Sequence, residues 1–252
     1  MNRHQLPEYL FNEIHIVEPY PNKVKPVLEM IDVTAFFPGG QGLWLEDDSE
    51  LTPDILVLGH DFSTVTEYNK MLASRQNEIN SPTWRELRKL FQAAGIDLNR
   101  CFFSNVYMGL RDVVSMTGVF PGSKDKEYVK RNQNFLRLQI QTLKPKVIIT
   151  LGKPASVNLS ILSEQLIEEW FEGRALSTPN NGLKRNVMID DHSYICVALE
   201  HTSMRNQNVK RRMYENESGQ HSGSIAEIEM LKDALFTPPP RGSLNRYSPC
   251  CS

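Results

Sequence analysis

The chain has 252 residues, 40% of them hydrophobic, with 28 Lys and Arg against 30 Asp and Glu for a formal net charge of −2. That length can bury a large core, and near-neutrality excludes a global basic field, so any nucleic-acid face must be local. Four cysteines without a CxxC pair argue against a disulfide framework, a zinc site or a four-Cys iron–sulfur site.

The first 50 residues read as an N-terminal extension of a helix and turns packed on the core. Within it, Gly39-Gly40-Gln41-Gly42 precedes Leu-Trp-Leu and reads as a turn, not a phosphate cradle. A first buried strand is expected at about 54–59. Ser81 and Pro82 open a helix whose apolar face is Trp84, Leu87, Leu90, Phe91 and Ala94, stopped by Gly95. A second strand follows at about 100–106, then a long loop at 107–125 and a helix at about 126–143 ending before Pro145. Lys146–Leu151 is a third strand, and a helix from Gly152 reaches about 172. Residues 173–192 read as an irregular connection, and 193–199 as the fourth strand. Ser224 and Glu227 make a capping-box pattern before a last helix with Ile225, Ile228, Leu231 and Leu235 on its apolar face. Residues 237–252 are a Pro-rich stretch expected to be a flexible tail.

Strands alternating with helices predict a three-layer αβα sandwich around a central four-stranded, mostly parallel sheet. The expected organisation is an extension (1–50), a core domain (51–236) and a tail (237–252). Cys101 and Cys196 fall inside strands, where they pack as small apolar residues. The cysteine usage suits a reducing compartment. The N-terminus carries no apolar signal core, and no stretch is long enough to span a bilayer. A soluble, intracellular monomer is expected.

Asp61 and His201 each stand just past a strand, after Asp54–Gly59 and after Tyr194–Leu199. In an open α/β sheet ligands bind outside the carboxyl ends of the strands, so the two side chains can face one cleft. Taken singly, Asp61 also fits a turn or helix cap, and His201 a helix-entry residue. The residue types of a serine hydrolase are present in Asp61, Ser63 and His201, but no G-x-S-x-G elbow accompanies them.

Four segments in order carry a resemblance. They are Gly59-His60-Asp61-Phe62, then Phe103-Ser104-Asn105-Val106, then Leu143-Lys144-Pro145 through Leu151-Gly152-Lys153-Pro154-Ala155, and finally His201-Thr202-Ser203-Met204-Arg205-Asn206. Together they resemble the motifs of the uracil-DNA glycosylase superfamily over roughly residues 54–215. The His201 segment is closest to the single-strand-selective, monofunctional branch. The chain departs from the family pattern at Phe62 and at Thr202 and Met204, where the family has prolines. Ser63 stands where the main uracil-specific branch has a thymine-excluding Tyr.

The resemblance implies a monofunctional glycosylase that hydrolyses the bond between deoxyribose and uracil or a related damaged pyrimidine, leaving an abasic site. It implies DNA, single- or double-stranded, as partner, with no cofactor and no metal. The chemistry explains the residue types. A carboxylate can stabilise positive charge on the sugar and orient water, the role of Asp61. A donor can hold the departing base anion, the role of His201. The Asn105 amide can read a pyrimidine edge, with Gly59, His60 and Phe62 completing the base pocket. Phe62, Tyr68 and Phe37 are the candidates for stacking on the flipped base. Ser203, Met204, Arg205, Lys210 and Arg211 are the implied DNA contacts, Met204 or Arg205 filling the gap in the stack, with the resemblance favouring Arg205. Arg205, Lys210, Arg211 and Arg212 run without an acid between His201 and Tyr214, which suits phosphate contact. The seven Lys and Arg of 124–146 fit a solvated helix face as well. Two alternatives stand beside this reading. One is an inactive member that binds nucleic acid or a protein partner, and the other is an N-glycosidase for free nucleosides or nucleotides.

Overall fold

The structure is a computed structural model that describes residues 2–45 and 50–236. The tail at 237–252 expected to be flexible lies outside the described residues. In the first half the elements are α1 Gln5–Asn12, β1 Val24–Pro26, β2 Ile55–Asp61, α2 Val65–Ser74, α3 Pro82–Ala94, β3 Cys101–Tyr107, β4 Gly109–Arg111 and α4 Lys126–Leu143. There follow β5 Val147–Leu151, α5 Lys153–Ser160, α6 Glu164–Trp170, α7 Arg174–Ser177, β6 Leu183–Ile189, β7 His192–Leu199, α8 Arg205–Asn208, β8 Met213–Asn216, β9 Gly219–Ser222 and α9 Gly223–Phe236.

The central sheet has the strand order β3-β2-β5-β7-β6. The first four are parallel, as expected, and β6 adds a fifth, antiparallel strand to the edge. This corrects the four-stranded expectation and the irregular connection read at 173–192. The β6 strand alternates weakly, buries only Val187 and Ile189, and carries a bulge between Lys184 and Val187. Its apolar signal is therefore that of a half-solvated edge. The long helix expected from 152 to 172 is likewise divided into α5 and α6.

Alternation along β2 explains the layers. Leu56 and Leu58 pack with Phe102 and Ile148 under α4 and α5. Ile55 and Val57 pack with Phe103, Ile149 and Val197 under α3 and α9. Helix α3 starts as its sequence dictates, with the Ser81 side chain accepting from the Trp84 N–H, and it ends where Gly95 turns left-handed at φ 73°. Helix α4 is capped by Asp125, whose carboxylate accepts from the Tyr128 N–H at 3.0 Å.

The N-terminal residues are knitted into the sheet's outer edge. The Phe37 N–H donates to the Phe103 carbonyl at 2.9 Å, and the Phe103 N–H donates to the Gly42 carbonyl at 2.7 Å. Residues 37–42 thus run beside β3, while β1 pairs antiparallel with β4.

The last helix corrects a second expectation. Its buried face is Ala226, Glu227, Met230, Leu231 and Ala234, and Ile225 is exposed. Glu227 does not cap the helix. It is drawn into the core by Arg205 and Arg212.

Glu78 gives a pH prediction. Its turn rests on the first residues through the bond from the Glu78 N–H to the Thr34 carbonyl at 3.2 Å. Desolvation by burial pushes its carboxyl up to about 7. A raised folded-state pKa contributes stability below the unfolded value, and this is lost as pH rises through about 7. Glu78→Gln should therefore gain about 1–2 kcal/mol at pH 8 and little at pH 5. Urea unfolding at the two pH values checks this, and an equal effect at both would contradict it.

Candidate active site

The carboxyl ends of β2, β3, β5 and β7 bring the sequence-predicted residues to one end of the sheet. In register, Gly59 lies beside Asn105, and Asp61 beside Tyr107. A Cβ on Gly59 would stand 2.5 Å from Asn105 Oδ1, so only glycine lets the buried amide lie across the β2 backbone. Asn105 Nδ2 donates to the Phe37 carbonyl at 2.9 Å, which fixes the orientation of the amide. On the other side, Gly152 (φ 84°) ends β5 against His201. A Cβ there would stand 3.0 Å from the His201 Cβ.

His201 caps the turn Thr202–Met204. The Ser203 N–H approaches its Nδ1 at 3.3 Å, and Ser203 Oγ lies 2.8 Å from the same nitrogen. With Nδ1 accepting, the neutral ring carries its proton on Nε2, which makes it a donor. Burial, reinforced by the His60 imidazole, holds the His201 pKa below its ordinary value, while Asp61 pulls the other way. His60 and Asp61 thus lie close enough to His201 to influence its charge.

Asp61 is held more tightly than its sequence context suggests. Arg111 Nε donates to Oδ1 and Arg111 Nη2 to Oδ2, each at 2.7 Å. His60 Nδ1 stands 3.0 Å from Oδ2. The Asp61 side chain is 6% exposed and that of Arg111 2%. Burial raises the Asp61 pKa, but the bonds from Arg111 and His60 outweigh it, and the carboxyl titrates below the ordinary range. The same guanidinium donates to the Thr117, Gly118 and Val119 carbonyls and so fastens the loop after β4. Phe120 lies under it, and Tyr107 stacks on Phe120 at 4.6 Å. Arg111, Tyr107 and Phe120 were not legible in the sequence as site residues. An Arg within an apolar run was the one available signal.

Among the stacking candidates, Phe37 is in the core and Tyr68 is buried. Phe62 is half-buried and packs on Gly39, where a Cβ would meet its ring at 2.2 Å. The ring also stands edge-on to Tyr68 at 6.4 Å.

The expected DNA contacts divide. Lys210, Arg211 and Ser203 are exposed. Arg205 is buried, and its Nη1 pairs with Glu227 Oε2. A guanidinium tied to a buried carboxylate is not presented to a base stack, which corrects the expected wedge. The Met204 side chain lies outside the described residues. Arg212 is buried as well, donating to the Ala175, Leu176 and Ala198 carbonyls. Among the described residues no three His, Cys, Asp or Glu converge as metal ligands, and no helix is long and apolar enough to cross a membrane.

Residues 63–219 match the model of the Uracil DNA glycosylase superfamily. The chain belongs to that superfamily. The matched span holds Asn105, Arg111 and His201 and begins two residues past Asp61. No match was found among curated proteins. Uracil-DNA glycosylase superfamily members are typically hydrolases that release bases from DNA. The mostly parallel sheet described above, flanked by helices, is consistent with that fold.

Proposed function

We propose that the chain is a monofunctional DNA base glycosylase that removes uracil or a related damaged pyrimidine and leaves an abasic site. The observation that carries this reading is His201. Burial lowers its pKa, which favours the neutral ring, and Nδ1 accepting from Ser203 puts the ring's proton on Nε2 as a donor. Such a donor suits the anion that forms on a departing base. Asn105 and Gly59 would form the floor that reads the base edge, with Phe62 as the stacking aromatic. Ser203, Lys210 and Arg211 would meet the phosphates around a base drawn out of its stack. The protein acts as a monomer, without a cofactor, on this reading.

One observation favours a second reading, a member that binds without turnover. Both Asp61 oxygens are already occupied, by Arg111 and His60.

The test is base release from an end-labelled oligonucleotide with one uracil, single-stranded or paired with G or A, alkali converting abasic sites to breaks. Release is expected, and His201→Ala should slow it about 10²–10³-fold by removing one donor to the leaving base. Binding with no release from uracil or from a panel of damaged pyrimidines would favour the binding-only reading. Release from a free nucleoside at the oligonucleotide's rate would point to a nucleosidase.

A further inference from the structure

The residue between Gly59 and Asp61 has the better geometry for handling a proton. Asp61 is enclosed, and its lone pairs face Arg111 and His60. His60 is the more open of the two, its side chain 17% exposed. Its Nδ1 stands 3.0 Å from Asp61 Oδ2, and a carboxylate at that distance favours the tautomer with the hydrogen on Nδ1. That tautomer leaves an Nε2 lone pair that meets no hydrogen-bond donor among the described residues. The ring is steered by edge contacts with Tyr107 at 5.6 Å and Phe120 at 6.2 Å. Phe120 also lies under Arg111 at 5.5 Å, so the imidazole and the guanidinium share one support. A carboxylate that fixes the tautomer of an imidazole and stabilises the imidazolium is the arrangement of an orienting acid behind a general base.

We propose that the His60 imidazole takes the proton from the attacking water, with Asp61 and Arg111 as positioning residues behind it. This rests on the glycosylase reading above. In the step, the bond between the sugar C1′ and the base nitrogen breaks, and its electron pair leaves with the base. The water oxygen bonds to C1′, and one water proton passes to His60 Nε2. The imidazolium is balanced by Asp61, which Arg111 keeps in place, and the proton then returns to the released base or to solvent. His201 donates to the base anion from the facing strand end. The two imidazoles thus do opposite work because the same nitrogen is engaged in opposite senses, Nδ1 of His60 facing the Asp61 carboxylate and Nδ1 of His201 accepting from Ser203.

The charged and titratable groups facing His60 are Asp61 on its own strand, Tyr107 on β3, Arg111 on β4 through Asp61, and His201 after β7.

Two variants test this against wild type in single-turnover base release over pH. His60→Asn keeps an N–H for Asp61 and removes the basic nitrogen. His60→Gln keeps the reach of the ring and cannot carry the proton. Each should slow release about 10²–10³-fold, the range for a general base, with unchanged melting temperature and oligonucleotide affinity. The acid limb of the wild type should be lost in both, and free imidazole should partly restore a third variant, His60→Ala. Either variant retaining the wild-type rate and limb would overturn the proposal. A slow variant with the limb intact and no rescue by imidazole would assign His60 a structural part only, and would also overturn it. Wild type releasing no base from any substrate would fail the glycosylase reading itself, a result distinct from both.

Discussion

Glu227→Ala is expected to destabilise the fold by about 3–5 kcal/mol, the usual cost of breaking a buried ion pair by removing one partner. For a chain of this size that lowers the melting temperature by about 10 °C. Glu227 is fully buried, and Oε1 accepts the Glu200 N–H at 2.7 Å. Oε2 pairs with Arg205, and Arg212 Nε stands 3.3 Å from Oε1. Without the carboxylate, two buried guanidinium groups that repel each other are left with the more distant Glu200 charge to offset them. Arg212 is already strained in this sense, since burial pulls its pKa down to about 10. The consequence reaches the site because Glu200 and Arg205 bracket His201, and Glu227 holds both. Base release should therefore fall together with stability. Glu227→Gln keeps the acceptor for Glu200 and should lose less than the Ala variant. Thermal melts and urea unfolding check the ordering, and a melting temperature within 2 °C of wild type for Glu227→Ala would contradict it.

This carboxylate shows where the sequence stopped being legible. The capping-box spacing of Ser224 and Glu227 is real as a pattern. It was overridden by Arg205 and Arg212, partners from beyond the helix that no local window contains. The same holds for Arg111, which is 50 residues from Asp61 and gave no periodic signal. What was legible followed from local rules. The four parallel strands announced themselves as apolar runs, α3 by its Ser-Pro start and Gly stop, and α4 by its spacing before Lys144-Pro145. Placing Asp61, Asn105 and His201 at strand ends followed from that alone. The edge strand β6 was missed because half its side chains meet water. Helix α2 was missed because Tyr68 is its one fully buried residue. Position after His201 offered Met204 or Arg205 as a wedge and the family resemblance favoured Arg205, whose direction is set by Glu227 instead. Patterns of apolar residues carry through to the fold, whereas the meaning of a charge depends on which distant counter-charge reaches it.

Asp61→Asn should have the largest effect on rate, a loss on the order of 10³-fold or more, as when the acid behind a catalytic imidazole is made neutral. It should also cost stability, which separates it from a simple active-site change. Arg111 is 2% exposed and would keep its charge with no carboxylate to meet it, a loss of about 3–5 kcal/mol. Arg111→Met should cost a comparable amount, because it leaves Asp61 buried and frees the Thr117, Gly118 and Val119 carbonyls. The double variant removes both charges. It should be more stable than the sum of the two single losses predicts, by about 2 kcal/mol or more of coupling. It should recover none of the rate. Acid sensitivity gives an independent reading of the same pair. Asp61 titrates below the ordinary aspartate range, so its contribution is present above about pH 4 and is lost as pH falls through the depressed value. That part of the acid unfolding should vanish in Asp61→Asn and in the double variant. Additive stabilities in the cycle would mean that the bidentate contact contributes nothing to folding. Full activity in Asp61→Asn would mean that neither Asp61 nor the imidazole it orients takes part in base release.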